Sequence, residues 1–426
     1  MIVIGIDPGS IVTGIGIVQQ TQMGLRLVTQ CEIRTRAYRT FNDKLKKIYD
    51  EILKLVALYS PTHISLETIF FSNNVQSALK LGHVRGCVLA LAISQNLNIL
   101  EYSPKQVKRI ITGNGNASKE QVAYMVRIKL HPSTSEFSRI AYGWWRLLSS
   151  DALSTKNIEK RINTCLENNI TTFDHADIYG SYQCEAYFGR VLKQIPSLRN
   201  QIELVTKSGI KLVHPDFPER KRKIYDLHST HIVQSLEASL RKFGTDYVDV
   251  LLIHRPNPLC DFEDCAKGLT SVVETGKAKY VGVSNFSAWE FETLQSFLSI
   301  QLVTNQLEIS LCNLKSFTDG SLHKCIERRA TPMAWSPLGG GKMLLEPYDE
   351  LGRKRLDMLV MLSRKYECNI TQLALAWLLL HPANILPIIG TNQTRRIAEA
   401  SYAVQIKLGE EDWFELWEVS TGARIP

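Results

Sequence analysis

Beyond "AYMVRIKLHPSTSEFSR" one pattern recurs that few folds can accommodate: a short apolar run followed by an amphipathic helical stretch. The runs are "SRIAYGWW", "TTFD", "IELVTK", "VDVLLIH", "AKYVGVS", "VTNQLE", "PMAWS" and "ILPIIG", mostly separated by helical text such as "THIVQSLEASLRKFG" and "FETLQSFL". Eight such units in succession predict a closed (β/α)8 barrel, although periodicity alone also allows a doubly wound open sheet. There is no repeat at a fixed solenoid period.

The text upstream of that pattern is different. "IVTGIGIVQQ" and "LRLVTQCEIRT" join the opening apolar run as three adjacent strands, and "FNDKLKKIYDEILKLVALYS" carries Leu45, Ile48, Ile52 and Leu55 at helical spacing. "HISLE" then reads as a strand, "NNVQSALKLGHVRGCVLALAISQ" as a long helix, and "NILEYS" as a further strand, so a mixed α/β sheet is expected. A chain of 426 residues has room for both modules. We set them at residues 1–124 and 125–426; there is no low-complexity linker, and the polar stretch around "HPSTSE" is the only boundary candidate.

Charge separates the two modules as well. Residues 1–124 contain 14 Lys+Arg and 8 Asp+Glu, a net +6, which leaves +2 of the total +8 for the remainder. A cationic face toward phosphates and ordinary solvated helix faces explain that excess about equally well. No apolar stretch is long enough to span a membrane, and the first residues lack a basic region and cleavage site, so a cytoplasmic location is the default. The nine scattered cysteines form no C-x-x-C pair or zinc pattern and read as reduced, mostly buried thiols.

In a (β/α)8 barrel, catalytic groups stand where strands end. Asp174 ends "TTFD", Lys207 ends "ELVTK", His254 ends "DVLLIH", and Tyr179 follows in the loop after Asp174. Each is weak evidence alone, but consecutive units placing all of them at one rim are stronger. "FDHADIYG", "VTKSG", "LLIHRP", "GVSNF", "TNQLEIS" and "PIIGTNQTRRIAEA" resemble the ordered motifs of the aldo/keto reductase family, from about Met125 to the C-terminus. The resemblance implies an oxidoreductase acting on a small aldehyde or ketone. It assigns Tyr179 as proton donor, Lys207 and Asp174 as its tuning pair, and His254 as the residue that orients the carbonyl. For NADPH it assigns Ser284, Asn285 and Gln306 to the carboxamide, Trp335 to stacking on the nicotinamide, and Gly390, Thr391 and Arg396 to phosphate. A family-typical basic residue is absent where Gly390 and Asn392 stand. A nearby ammonium is expected to stabilise the phenolate of Tyr179, whose ordinary pKa is ~10.

"GIDPGSIVTG", "SLETIFFSNNVQSALKLGHVRG" and "YSPKQVKRIITGNGNASKEQV" resemble the RuvC family of crossover junction endodeoxyribonucleases, with its RNase H-like fold. That implies four-way junction DNA as a partner and Mg²⁺ held by carboxylates. Asp7 and Glu67 match metal ligands, Lys108 and Lys119 match basic residues near the scissile phosphate, and Phe70 matches an aromatic that works against base stacking. The family pattern needs a final helix with two more acids. The next acids are Glu136 and Asp151, and "SSDALS" lacks the pair, so the module reads as cut off with an incomplete metal site. A nuclease carrying an appended barrel and a cofactor-binding regulatory protein are the alternatives. Intact resolvases imply dimers, the oligomeric state here stays open, and Met125 is a candidate initiator for a free-standing reductase.

Overall fold

The computed structural model describes all residues except 22–23, 39, 69–74, 104–105, 107–126, 150–152, 346–348 and 426. Phe70, Lys108, Lys119, Met125 and Asp151 lie outside the described residues. The chain divides into two compact units, Met1–Val122 and Ala123–Pro426.

In the first unit, β1 (Ile2–Asp7), β2 (Val12–Thr21) and β3 (Gly24–Arg34) form an antiparallel meander, while β4 (His63–Glu67) and β5 (Asn98–Tyr102) continue parallel to β1. The sheet order is β3-β2-β1-β4-β5. Because side chains alternate along a strand, Ile4, Ile6, Ile15, Ile17, Ile33, Ile64 and Leu66 fall into one core with α1 (Phe41–Tyr59) and α2 (Val75–Ser94). The buried line of α1 runs through Ile48, Ile52 and Val56, with Leu45 and Leu55 only partly covered. After β1 the chain turns tightly. A Cβ on Gly9 would fall 1.9 Å from the carbonyl oxygen of Val12, and the Thr13 hydroxyl locks the turn by donating to the Gly9 carbonyl at 2.8 Å.

The second unit opens with a hairpin, β6 (Arg127–Lys129) and β7 (Glu136–Ser138), whose turn contains "HPSTSE". That stretch is therefore no interdomain boundary. Ile128, Leu130 and Phe137 plug the barrel interior beside Val205, Val250, Leu252, Val303, Met333 and Leu386. The hairpin touches the beginnings of strands: Arg127 donates to Glu203, and the Thr331 amide donates to the Leu130 carbonyl.

All eight expected strands form. They are β8 (Ala141–Gly143), β9 (Thr172–Asp174), β10 (Glu203–Ser208), β13 (Val248–Ile253), β14 (Ala278–Ser284), β15 (Leu302–Glu308), β16 (Met333–Trp335) and β17 (Leu386–Ile389), closed in the order β10-β13-β14-β15-β16-β17-β8-β9. A small hairpin, β11 (Ile210–Lys211) with β12 (Ile224–Tyr225), grows from the end of β10. Parallel strands buried on both faces favour apolar residues; β13 (VDVLLI) follows this, whereas β10 (ELVTKS), equally buried, also carries Glu203, Thr206, Lys207 and Ser208. No helix among the described residues is long and apolar enough to cross a membrane. All nine cysteines are free, but only Cys165, Cys184, Cys265 and Cys325 are buried and Cys31 and Cys312 are exposed, so the expected burial holds for fewer than half.

Candidate active site

The C-terminal ends of β9, β10 and β13 bring three ionisable groups together. Lys207 is fully buried, and its Nζ lies 2.8 and 2.7 Å from the two oxygens of Asp174, 2.8 Å from the His175 carbonyl and 3.1 Å from the Tyr179 hydroxyl. A buried ammonium survives only when so surrounded. Burial pulls the Lys207 ammonium down, but Asp174 and Tyr179 outweigh it and the net direction is up.

Tyr179 is held by the turn that follows it, where Gly180, Ser181 and Tyr182 are all left-handed. A Cβ on Gly180 would lie 2.5 Å from the Leu148 side chain and 2.7 Å from the Cys184 sulfur, which explains the glycine. Burial raises the tyrosine's pKa; Lys207 pulls it down, as expected for a neighbouring ammonium, but does not fully offset the burial. Lys207 donates to the Tyr179 oxygen, so the phenol's own proton is available to another acceptor.

His254 follows β13 and is buried, with its ring edge-on to that of Tyr179 at 6.0 Å between centroids. Burial first, then the charges of Lys207, Arg255 and Lys223, holds its pKa well below the usual range, so the imidazole is neutral. Its Nδ1 has no hydrogen-bond partner among the described residues.

A second set of side chains adjoins the ion pair. Gln306, on β15, donates from Nε2 to Asp174 Oδ1 at 2.8 Å. The Ser284 hydroxyl donates to the Gln306 carbonyl at 2.9 Å, and Asn285 Nδ2 donates to Ser284 at 2.8 Å and to the His254 carbonyl at 3.2 Å. Asn285 adopts φ +63°, which asparagine tolerates better than most residues. Trp335, half-buried at the end of β16, donates from its indole N–H to Asn285 Oδ1 at 3.0 Å. Its flat face is thus held at a fixed angle.

Further round the rim, Gly390 and Thr391 follow β17 and lead into the helix Thr394–Ser401, which has no side-chain N-cap. The Tyr142 hydroxyl anchors the Thr391 carbonyl at 2.7 Å. Arg396 is exposed and enters no ion pair among the described residues. Asn392, where a basic residue was missed, bridges Arg161 Nη1 at 2.6 Å and the Arg146 carbonyl at 2.8 Å.

Residues 139–420 match the aldo/keto reductase family. The chain belongs to that family. Over 290 residues it is 45% identical to 6-dehydroglucose reductase of Agrobacterium fabrum, a match covering 68% of this chain and 96% of the relative. A crystal structure of a thermostable aldo-keto reductase in complex with the inhibitor epalrestat superposes with a TM-score of 0.59 at 26% identity, covering 69% of this chain and 99% of the other. The oxidoreductase barrel is therefore joined to a second family's module. Residues 3–137 match the crossover junction endodeoxyribonuclease RuvC. RuvC of Chloroherpeton thalassium is 50% identical over 127 residues, 30% of this chain and 68% of that protein.

In the RuvC-like unit, β1 and β4 run parallel with Ile6 paired to Leu66, and Asp7 and Glu67 are the next residues, each the last of its strand. Asp7 is exposed and Glu67 half-buried. Among the described residues, no group of three or more His, Cys, Asp or Glu side chains is placed to hold a metal ion. Mg²⁺ takes six oxygen ligands and is commonly held through one or two carboxylates, with waters and substrate phosphate completing the set.

Motif reading named the ion pair and the tyrosine, but it missed that Gln306 is bonded to Asp174. Nothing in residues 132 positions apart signals that contact. It also passed over Arg255, although a cation directly after His254 was visible in "LLIHRP".

Proposed function

We propose that the chain is an NADPH-dependent reductase of a small aldehyde or ketone, working in the cytoplasm, with the reductase barrel beginning at about residue 125. The observation that carries this reading is the Lys207 ammonium held between the Asp174 carboxylate and the Tyr179 hydroxyl. The side chains near that ion pair suit the cofactor: Ser284, Asn285 and Gln306 would hold the carboxamide and Trp335 the nicotinamide face. Gly390, Thr391 and the uncapped helix start offer backbone N–H groups to phosphate, and exposed Arg396 suits a 2′-phosphate. Bound NADPH supplies hydride.

Tyr179 gives its proton to the carbonyl oxygen as charge develops there, and Lys207 stabilises the resulting phenolate. Because burial keeps the tyrosine protonated, it starts each turnover as an acid. Neutral His254 orients the same oxygen by hydrogen bonding, and Asp174 fixes the ammonium. NADPH consumption at 340 nm with an aldehyde panel tests the reading, with 6-dehydroglucose first because the relative named above carries that activity. Turnover that Tyr179→Phe leaves unchanged contradicts it.

A second reading concerns the RuvC-like unit as a binder or cutter of four-way junction DNA using Mg²⁺ at Asp7 and Glu67. Its support is that Asp7 and Glu67 are the last residues of two neighbouring parallel strands. Phe70, Lys108 and Lys119, matched by the family resemblance, are the residues to mutate for DNA contact. Incubation of the full chain with a synthetic junction and Mg²⁺ decides it: the absence of both a shifted band and nicks at high protein concentration rules it out.

A further inference from the structure

We propose that the carbonyl substrate carries a fixed negative charge, and that Arg255 and Lys223 at the mouth of the site receive it. The inference rests on the reductase reading and narrows its substrate class.

Arg255 directly follows His254, and its guanidinium lies 5.7 Å from the centroid of the Trp335 ring. Lys223 reaches the same region by a different route. It precedes β12 in the hairpin that grows from β10, the strand carrying Lys207. Asn257, two residues beyond Arg255, donates from Nδ2 to the Tyr225 carbonyl at 2.9 Å and ties this hairpin to the His254 loop. Arg255 stands beside Trp335, while Lys223 is exposed on the fastened hairpin, 5.6 Å from the centroid of the Tyr225 ring.

The charges acting on His254 are Lys207, Arg255 and Lys223, all positive. Lys207 is neutralised by Asp174. Arg255 and Lys223 have no ion-pair partner among the described residues. The acids of the hairpin segment are already committed: Asp216 to His214, Glu219 to Arg220, and Asp226 to both Lys211 and His228. Two unneutralised cations beside a neutral imidazole and an aromatic face make a pocket wall suited to a carboxylate, sulfonate or phosphate ester.

The cofactor's phosphates are a poorer explanation. Their proposed seat after β17 is separated from β10 by β8 and β9 on one side and by four strands on the other. Arg255 and Lys223 stand on the β10 and β13 side of the ring.

The experiment compares 4-carboxybenzaldehyde with 4-methylbenzaldehyde, matched in reach and similar in carbonyl activation, using the full chain and NADPH. The expected result is a kcat/KM ratio favouring the carboxylate by about tenfold or more, the scale of one charge-assisted hydrogen bond. That ratio falls toward unity in Arg255→Gln, mainly through KM, falls partway in Lys223→Gln, and shrinks as NaCl is raised. A ratio near unity in the parent, a ratio unchanged in Arg255→Gln, or a loss confined to the KM for NADPH overturns the proposal. Benzoate binding to the same protein by calorimetry is the independent readout. Binding that Arg255→Gln abolishes supports the charged-substrate wall even if neither aldehyde turns over, which would instead count against the reductase reading. Binding that is absent, or indifferent to Arg255, overturns it.

Discussion

The barrel and the RuvC-like unit both place acidic residues at strand ends, yet they do so with different completeness. In the barrel, Asp174 is one member of a closed set: Lys207 takes its charge, Gln306 its remaining hydrogen bond, and Tyr179 the far side of the ammonium. In the first unit, Asp7 has Glu67 at the neighbouring strand end and, among the described residues, no further group that makes a metal cluster. The same backbone device yields a reaction site only where neighbouring side chains neutralise and orient what it presents. A carboxylate at a strand end is a position, and chemistry comes from its company.

The comparison breaks most visibly if the barrel's set is opened. Lys207→Met leaves Asp174 buried without its cation, so a stability loss of about 3–5 kcal/mol is expected by denaturant unfolding, with reductase turnover lost. A smaller loss that leaves turnover intact would mean the ion pair is incidental. Asp7→Asn should contrast sharply: the residue is exposed, so folding and NADPH-dependent turnover stay unchanged, while any junction binding or cleavage that depends on Mg²⁺ falls. Trp335→Ala removes the aromatic face and should raise the KM for NADPH about tenfold, on the scale of ~1–2 kcal/mol, with a smaller change in kcat.

A pH-dependent effect sharpens the account of burial inside the barrel. Asp177 is buried, accepts from Ser235 at 2.9 Å, and has its pKa raised to about 7 by burial and by the charge of Glu185. Its folded pKa lies above the unfolded value, so the stability it contributes is present at low pH and is lost as pH rises toward 7. Asp177→Asn keeps the shape without the charge. Its stability relative to the parent should therefore grow with pH between the unfolded carboxylate value and about 7, by on the order of 1 kcal/mol per pH unit, then level off. The histidines act in the opposite sense. His175 and His254 have folded pKa values well below the ordinary one, so acidification below the unfolded value of ~6.5 disfavours the fold.

Much of the fold was legible because doubly buried strands write themselves as apolar runs. "IELVTK" and "VDVLLIH" leave little choice of secondary structure, and their last residues locate the rim. The hairpin at the barrel floor was not legible. Its strands are three residues each and flank a polar turn, so "HPSTSE" looked like a boundary while Ile128 and Phe137 were serving the barrel core. The site was readable as far as motif residues go, which gave Asp174, Tyr179, Lys207 and His254. Direction of titration was not readable, since the burial that raises Tyr179 comes from side chains scattered along the chain. Nor could spacing anticipate Gln306 on Asp174, or Asn257 fastening the hairpin that carries Lys223.

The account rests on Tyr179 giving up a proton beside a buried ammonium, and the most direct measurement is the kcat of Tyr179→Phe against the parent chain with NADPH and a reactive aldehyde. The phenyl ring fills the same space, so folding and cofactor affinity should persist while kcat drops by about 10²–10⁴, the usual worth of a positioned acid. A kcat within a few-fold of the parent, with the fold intact, contradicts the account.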